Sequence, residues 1–350
     1  MSADSKRILI VKLSSIGDVV MSLPVAAALR RRFPEAYLAW AVGPAAADVL
    51  TGNPHLSEVL VIGGKESGEG VKALPPLGEP RKLRRELKRF DFGITLDLQG
   101  LFKSAAVAYL SGARERIGFR SWREGAFLLN NRRLVSYRPE IHAVDLYLDF
   151  AVALGATREP VEFSIAVSEE DRPKVNDLVG ARERLAAFIP GARWESKLWP
   201  TGRFAAVAEG LAEEFGLTPV VIGTASDKKL AALIAAACKH EVLDLTGKTT
   251  LKQAAEVFRR CRVTVGNDTG PLYLSAAMGT PTVTVFGPSD DRRLGPYGEG
   301  HAKVTTGVEC APCRNRQCRS SKCMEAISTE QVLEAARGLL ARTSVARGEG

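Results

Sequence analysis

Three charged residues of this chain stand where a protein can hold a phosphorylated substrate and move a proton. Asp18 follows the loop SSIG, Lys197 lies in the loop IPGARWESKLWP, and Asp268 lies in the turn VGNDTGP. A carboxylate can take a proton from an acceptor hydroxyl, and a lysine can place a point charge on a diphosphate. From the residues alone, Asp18 could instead stabilise its helix N-terminus, and Lys197 could be a solvated loop residue.

The segment Val265 to Asp290 predicts a strand, a polar turn, a short helix and a second strand. Gly266 to Gly270 supplies the turn residues, and Pro271 suits the first helical position because that position needs no N–H group. Free backbone N–H groups at such a helix start favour an anion. The alternative is an ordinary capped helix with Asp268 or Thr269 as its N-cap.

The elements that must position these residues alternate between strand and helix in both halves of the chain, which predicts α/β folding around parallel sheets. A length of 350 residues suits about two domains. We therefore predict two Rossmann-like domains, at residues 1–165 and 166–342, and a disordered tail at 343–350. The predicted strands are RILIVKL at 7–13, Tyr37–Val42, Val59–Ile62, Phe92–Leu98, Leu185–Ile189, Thr218–Ile222, Val242–Leu245, Arg262–Val265 and Thr282–Phe286.

Several function classes are disfavoured by what the sequence lacks. No G-x-G-x-x-G follows the first strand of either half, and no P-loop motif occurs, so a dinucleotide dehydrogenase and a P-loop NTPase are unfavourable interpretations. No apolar stretch approaches the length of a signal peptide core or a membrane span, which predicts a cytoplasmic location. Small polar residues after successive strands, at Thr224, Thr246 and Gly247, suit a nucleotide in a cleft at the carboxyl ends of the sheets.

Metal binding has one candidate segment. No D-x-D motif occurs, and the four histidines are far apart in sequence, so no ligand set for a divalent metal at a diphosphate is evident. Residues 310–323 contain C-x2-C-x4-C-x4-C, formed by Cys310, Cys313, Cys318 and Cys323. These thiols could hold a structural zinc or an iron–sulfur cluster, or they could be reduced and pack the C-terminal segment.

Taken together, four segments in this order resemble glycosyltransferase family 9, the ADP-heptose:lipopolysaccharide heptosyltransferases. They are ILIVKLSSIGDVVMSLPVAAALRRRFP, ARWESKLWP, LTGKTTLKQ and NDTGPLYLSAAMGTPTVTVFGPSD. The closing CAPCRNRQCRSSKCMEAIS resembles the heptosyltransferase II branch. The resemblance implies a GT-B fold, in which an N-terminal acceptor domain faces a C-terminal nucleotide-sugar domain.

The resemblance also implies the chemistry: metal-independent, inverting transfer of heptose from ADP-L-glycero-D-manno-heptose to the lipopolysaccharide inner core, with no cofactor. Asp18 matches the general base and Lys197 the phosphate-contacting lysine. The donor motif matches Asp268, Thr269 and Gly270, and donor contacts extend to Thr224, Thr246 and Gly247. Tyr273 stands where many relatives carry a histidine.

One segment of the acceptor side has a strong excess of positive charge. Residues 70–140 contain 15 Lys and Arg against 7 Asp and Glu, in a chain whose net charge is +8. Such a segment could meet an anionic partner or be the solvated face of helices, and no basic motif favours nucleic acid. The resemblance implies lipid A with acidic Kdo sugars as the acceptor, at the cytoplasmic face of the inner membrane. The candidate acceptor contacts are Ser15, Gly17, Lys103, Arg120 and the run Arg81 to Arg89.

Other functions are compatible with these residues. A transferase using another nucleotide sugar, or a nucleotide-sugar epimerase of similar fold, would need the same phosphate and sugar contacts. A nonenzymatic protein that binds anionic surfaces would use only the basic segment. The oligomeric state has no signal in the sequence.

Overall fold

Two compact α/β units make up the chain, Met1–Ala166 and Val167–Gly350. The computed structural model describes residues 6–66, 69–120, 123–180, 182–318 and 320–347. The described residues of each unit form one parallel sheet with helices between its strands. The predicted fold class is therefore confirmed. No helix among the described residues is long and apolar enough to cross a membrane.

The described part of unit 1 contains a seven-stranded sheet in the order β4-β3-β2-β1-β5-β6-β7. Residues 8–11 of β1 are completely buried, as expected for a central strand of a parallel sheet covered on both faces. The strands are β1 (Arg7–Val11), β2 (Tyr37–Val42), β3 (Glu58–Ile62), β4 (Val71–Leu74), β5 (Ile94–Asp97), β6 (Glu115–Phe119) and β7 (Arg132–Val135). The helices are α1 (Ile16–Arg32), α2 (Pro44–Leu50), α3 (Pro80–Lys88), α4 (Phe102–Leu110) and α5 (Ala143–Val152), with a 3-10 segment at Arg123–Leu128.

The described part of unit 2 contains a six-stranded sheet in the order β10-β9-β8-β11-β12-β13. Its core includes Phe188 of the central strand and Trp199 of the following loop, both buried. The strands are β8 (Leu185–Ile189), β9 (Thr218–Val221), β10 (Leu243–Asp244), β11 (Cys261–Asn267), β12 (Thr282–Val285) and β13 (His301–Val304). The helices are α6 (Asp171–Val179), α7 (Thr201–Phe215), α8 (Lys228–Ala237), α9 (Leu251–Arg260), α10 (Gly270–Ala277), α11 (Lys322–Ala326) and α12 (Thr329–Arg347), with 3-10 turns at Glu195–Lys197 and Ala225–Asp227.

The structure adds elements that the sequence patterns did not predict. β4, β6, β7 and β13 were missed because they are short and lie toward the sheet edges, where apolar runs are not required. α12 continues to Arg347, so residues 343–347, which the sequence predicts to be disordered, lie in a helix. Residues 348–350 lie outside the described part of the chain.

Each sheet reverses its strand order at one point. In unit 1 the chain proceeds outward from β1 to β4 and then continues from β5 on the other side of β1. In unit 2 the same reversal falls between β8 and β11. The loops that leave two neighbouring strands in opposite directions open a crevice at the carboxyl edge, which is where parallel sheets bind ligands.

Candidate active site

A hydrogen-bonded network of three side chains lies at the reversal point of unit 1. Lys12 directly follows β1, and its Nζ lies 3.6 Å from Oδ1 of Asp18. The Lys12 Nζ also donates to the hydroxyl of Tyr147 at 2.8 Å, and that hydroxyl donates to Asp18 Oδ1 at 2.8 Å. Lys12 is buried, whereas the Asp18 side chain retains 36% exposure. Lys12 and Tyr147 thus hold the Asp18 carboxylate in place, and the carboxylate remains accessible to solvent.

The second oxygen of Asp18 stabilises the start of α1. Oδ2 accepts from the Ser15 N–H at 3.2 Å and from the Ser15 hydroxyl at 2.8 Å. Asp18 therefore does stabilise its helix N-terminus, as the alternative interpretation held, but it also belongs to the lysine–tyrosine network. A carboxylate has about four lone-pair sites, so these contacts leave room for a substrate hydroxyl.

The surroundings of Asp18 keep it ionised. Burial would raise its pKa, but Lys12 and the hydrogen bonds from Ser15 and Tyr147 outweigh that effect and hold the pKa below its usual value. A group whose pKa falls on folding stabilises the native state above its ordinary pKa and loses that contribution as pH falls through the folded value. At neutral pH the carboxylate can accept a proton.

The loop after β5 completes this crevice. The Lys12 Nζ donates to the Leu98 carbonyl at 3.3 Å, and Gln99 Oε1 accepts from the Leu13 N–H at 2.8 Å. Buried Asp97 accepts from Asn130 at 2.9 Å and from the backbone of its own loop. Burial raises the pKa of Asp97, against the opposing effect of these hydrogen bonds. The two loops flanking the reversal point are therefore fixed to each other.

The predicted acceptor residues fall into two groups. Ser15 and Gly17 belong to the Asp18 loop and the first turn of α1. Lys103 joins them, because its Nζ lies 3.4 Å from the Ser14 hydroxyl. Arg120 is exposed at the end of β6 and donates to the Arg133 carbonyl at 2.8 Å, so its contacts lie on the outer strands. The Arg81 to Arg89 run lies on and just after α3, and its basic side chains are exposed except for that of Arg84, which is partly buried.

In unit 2 the loops that follow β8 and β11 meet through a buried ion pair. The Lys197 Nζ lies 2.5 Å from Oδ2 of Asp268 and 3.3 Å from its backbone oxygen. Tyr273, on the first turns of α10, donates its hydroxyl to the other carboxylate oxygen. The side chains of Lys197 and Asp268 are only 14% and 4% exposed. The pairing brings together residues that stand 71 positions apart in sequence.

A buried asparagine fixes the same two loops. Asn267, the last residue of β11, donates to the Pro190 carbonyl at 2.7 Å and accepts from the Trp199 N–H at 3.2 Å. The Trp199 indole N–H donates in turn to the Ile327 carbonyl at 3.0 Å. These bonds hold the Lys197 loop against the end of β11 and prevent the lysine from moving freely.

The start of α10 is open to an anion. Thr269 is the N-cap residue in extended conformation, and its side chain makes no capping hydrogen bond. Gly270 and Pro271 form the first helical positions, so the side chains nearest the helix start are small. The helix N-terminus and the Lys197 ammonium thus present positive charge at the same crevice.

Trp194 links this crevice to the cysteine segment at 310–323. The Lys197 Nζ lies 4.6 Å from the centre of the Trp194 ring, and the Arg316 guanidinium lies 4.3 Å from the same centre. Arg314 of the same segment pairs with Asp290, beyond β12, at 3.0 Å. The segment therefore supplies two arginines beside the loops of the reversal point.

The other predicted donor residues occupy neighbouring loops. The Thr224 hydroxyl bonds Asp227 at 2.8 Å, and the buried Thr246 hydroxyl bonds Asp244 at 2.6 Å, so both stabilise their own turns. The Gly247 N–H donates to the Gly223 carbonyl at 2.9 Å. Gly247 has φ +70° and lies against Ala225, where a side chain would not fit. Both threonine hydroxyls are therefore already bonded within their own turns.

The four cysteines of the segment 310–323 differ in burial. In the part of the chain that the structure describes, no group of three or more His, Cys, Asp or Glu side chains is placed to hold a metal ion. Cys310 and Cys313 are exposed, whereas Cys323 is buried in the core of unit 2. Burial raises the pKa of Cys323, and the neighbouring Cys310 and Cys313 add to this effect. Cys323 thus packs as an apolar core residue.

Sequence patterns missed the residues that orient the predicted ones. Tyr147 reaches Asp18 from 129 positions away, on α5. Arg316 reaches the Trp194 ring from a segment noted only for its cysteines. Lys12 could have been recognised from the sequence. It ends a fully apolar strand, and a lysine buried at such a position must be paired.

Comparison with known proteins agrees with this geometry. Residues 80–324 match the model of glycosyltransferase family 9 (heptosyltransferase). Lipopolysaccharide heptosyltransferase 1 of Pseudomonas aeruginosa is 28% identical over 315 residues, which cover 89% of this chain and 87% of that protein. Lipopolysaccharide heptosyltransferase 2 of Escherichia coli is 29% identical over 298 residues, which cover 81% and 83%.

The solved structure of E. coli ADP-heptose lps heptosyltransferase II has the same fold. It superposes with a TM-score of 0.78 at 24% identity, covering 97% of this chain and 99% of that one. The fold of the chain is that of the GT-B heptosyltransferases. Since the family model matches more than half of the sequence, the chain belongs to glycosyltransferase family 9, the heptosyltransferases. It is therefore an enzyme, and the nonenzymatic alternative is wrong.

The buried pair of unit 2 can be tested by its contribution to stability. Lys197→Met should lower the free energy of unfolding by about 3 kcal/mol, because Asp268 would remain buried without its cation. The loss of unfolding free energy in the double variant Lys197→Met/Asp268→Asn should be at least about 1 kcal/mol smaller than the sum of the losses in the two single variants. Urea unfolding of the four proteins measures both quantities. Lys229→Met, at an exposed position on α8, is the matched control, and strict additivity would contradict the pairing.

The network of unit 1 can be tested by its effect on pH dependence. Removing the Lys12 charge or the Tyr147 hydroxyl should raise the pKa of Asp18, so the acidic limb of kcat/KM should move to higher pH in Lys12→Met and Tyr147→Phe. Lys12→Met should move it further, since the lysine charge lowers the pKa most. Tyr37→Phe removes a hydroxyl that bonds Glu58 and should leave the limb in place. An acidic limb unmoved by either network variant would remove Asp18 from the titrating role.

Proposed function

We propose that this enzyme transfers L-glycero-D-manno-heptose from ADP-heptose to the inner core of lipopolysaccharide, with inversion at the anomeric carbon and without a metal ion. Support comes from membership of the heptosyltransferase family and from relatives named for lipopolysaccharide and ADP-heptose. The observation that carries the chemistry is Asp18: an ionised, half-exposed carboxylate held by Lys12 and Tyr147 at the reversal point of unit 1.

The donor belongs to unit 2 in this proposal. The diphosphate binds where the start of α10 and the Lys197 ammonium both present positive charge. An ammonium has three donors, and the two bonds to Asp268 leave one for a phosphate oxygen. Pairing with Lys197 also offsets the charge of Asp268, which would otherwise repel the diphosphate. Asp268 then accepts a hydrogen bond from a sugar hydroxyl.

The acceptor belongs to unit 1. Its hydroxyl binds beside Asp18 and attacks the anomeric carbon as the bond to the diphosphate breaks, while its proton passes to the Asp18 carboxylate. Ser15 and Gly17 line the same loop, and Lys103 supplies a cation for the acidic sugars of the acceptor. The negative charge that develops on the leaving ADP is stabilised by Lys197 and by the N–H groups at the start of α10.

The proposed location is the cytoplasmic face of the inner membrane, where a lipid-linked acceptor would be available. Support comes from the lipopolysaccharide named in the relatives and from the excess of positive charge in residues 70–140. Attraction to anionic lipid depends on this charge and weakens as salt is raised.

The proposal is tested by release of ADP from ADP-heptose in the presence of a Kdo-terminated or a heptose-terminated core acceptor. Asp18→Asn should reduce kcat roughly 10²–10⁴-fold, because the amide cannot take the proton. Calorimetry should find its affinity for ADP-heptose unchanged, whereas Lys197→Met should weaken that affinity. Asp91→Asn, at an exposed residue before β5, controls for the loss of a carboxylate.

Two outcomes would contradict the proposal. Absence of ADP release with both acceptors would exclude this reaction, and parallel titration with UDP- and GDP-sugars would then identify another donor. Normal turnover by Asp18→Asn would exclude Asp18 as the base while leaving the substrate assignment intact.

A further inference from the structure

One surface of unit 1 combines exposed aromatic and aliphatic side chains with arginines. Phe102 and Tyr109 are 54% and 46% exposed, and they lie seven positions apart on α4 and hence on one face of that helix. The 3-10 segment Arg123–Leu128 packs against α4 and ends in Leu128, which is 73% exposed. We refer to the surface formed by Phe102, Tyr109, Leu128, Arg116 and Arg133 as the α4 patch.

The rest of α4 explains why this face is unusual. The opposite side of the helix, including Ala105, Val107 and Ala108, is buried against the sheet. A helix on a sheet normally presents polar residues on its outer side. Here the outer side carries two aromatic rings that are about half exposed, and exposed apolar patches mark interaction sites.

Arginines accompany the aromatic rings. The Arg116 guanidinium lies 5.5 Å from the centre of the Tyr109 ring, and it is fixed by hydrogen bonds to the Leu129 and Ala113 carbonyls at 2.8 Å. The Arg133 guanidinium lies 5.5 Å from the Phe127 ring. Among the residues that the structure describes, neither guanidinium pairs with a carboxylate. Both charges are therefore available to an anionic partner.

The segment that contains the α4 patch is also positively charged. Residues 101–133 contain 7 Lys and Arg against 2 Asp and Glu. One of the two acidic residues, Glu115, is itself paired with Arg132. Aromatic rings at the level of the lipid headgroups, surrounded by arginines, are the arrangement by which a protein lies on an anionic bilayer.

The α4 patch adjoins the acceptor loop. Lys103, the neighbour of Phe102 on α4, reaches the Ser14 hydroxyl in the loop that leads to Asp18. A surface in this position would lie at the membrane while the loop beside it meets the sugar end of a lipid-linked acceptor.

We propose that the α4 patch docks unit 1 on an anionic phospholipid bilayer. Phe102, Tyr109 and Leu128 enter the headgroup region, and Arg116 and Arg133 contact lipid phosphates. This inference rests on the proposed function, because a lipid-linked acceptor gives the enzyme a reason to bind the bilayer. The occupant is the bilayer itself, and the acceptor lipid is not needed for docking.

The test is co-sedimentation of the full chain with vesicles, in the absence of donor and acceptor. Vesicles of phosphatidylethanolamine and phosphatidylglycerol should bind the protein, and phosphatidylcholine vesicles should bind it much less. Leu128→Ser should weaken partitioning roughly tenfold, since one exposed leucine no longer enters the lipid. Leu233→Ser, at a 48% exposed leucine of unit 2, is the matched control and should bind as the wild type does. Arg133→Gln should weaken binding to anionic vesicles only.

Activity separates this inference from the proposed function. Leu128→Ser should keep its kcat/KM for a deacylated, water-soluble core acceptor and lose it in part for the same acceptor presented in vesicles. The docking proposal is overturned if the wild type does not bind anionic vesicles, if Leu128→Ser and Leu233→Ser behave alike, or if Leu128→Ser instead dissociates an oligomer seen by light scattering. Vesicle binding without transferase activity would contradict the proposed function alone.

Discussion

A buried lysine requires a carboxylate partner, and both units of this enzyme are organised around such an ion pair. Lys12 follows the central strand β1, and Lys197 lies in the loop that follows the central strand β8. Each lies at the point where its sheet reverses strand order, and each pairs with an aspartate at or near the start of a helix. Desolvation makes an unpaired charge costly in such a place, so the pairing fixes the loops that a ligand must meet.

The two pairs differ in a way that suits different tasks. Asp18 keeps 36% exposure, whereas Asp268 keeps 4% and is held by Lys197 and Tyr273 together. The exposed carboxylate can meet a substrate hydroxyl and take its proton. The buried one is restrained in direction, so it suits recognition more than proton transfer. In the proposed reaction, the same interaction supports a base in unit 1 and a binding residue in unit 2.

The central strands of the fold could be predicted because burial restricts which residue types they can contain. β2 and β8 have the predicted bounds, since a strand buried on both faces must be a continuous apolar run. Edge strands such as RRLV and HAKV lack that constraint and were missed. Asp18, Lys197 and Asp268 were recognisable as motif residues, but their partnership with Lys12, Tyr147 and each other depends on which strands are neighbours. Local sequence patterns do not contain that information.

The most direct test of the central claim is the configuration of the product. A single displacement, with Asp18 as base and no covalent intermediate, must give a glycosidic bond whose anomeric configuration is opposite to that of the donor. The one-bond C1–H1 coupling of the new linkage, measured by NMR on the product from ADP-heptose and a defined core acceptor, reports that configuration. Inversion is the predicted result. Retention would require an intermediate step on the enzyme and would contradict the role assigned to Asp18.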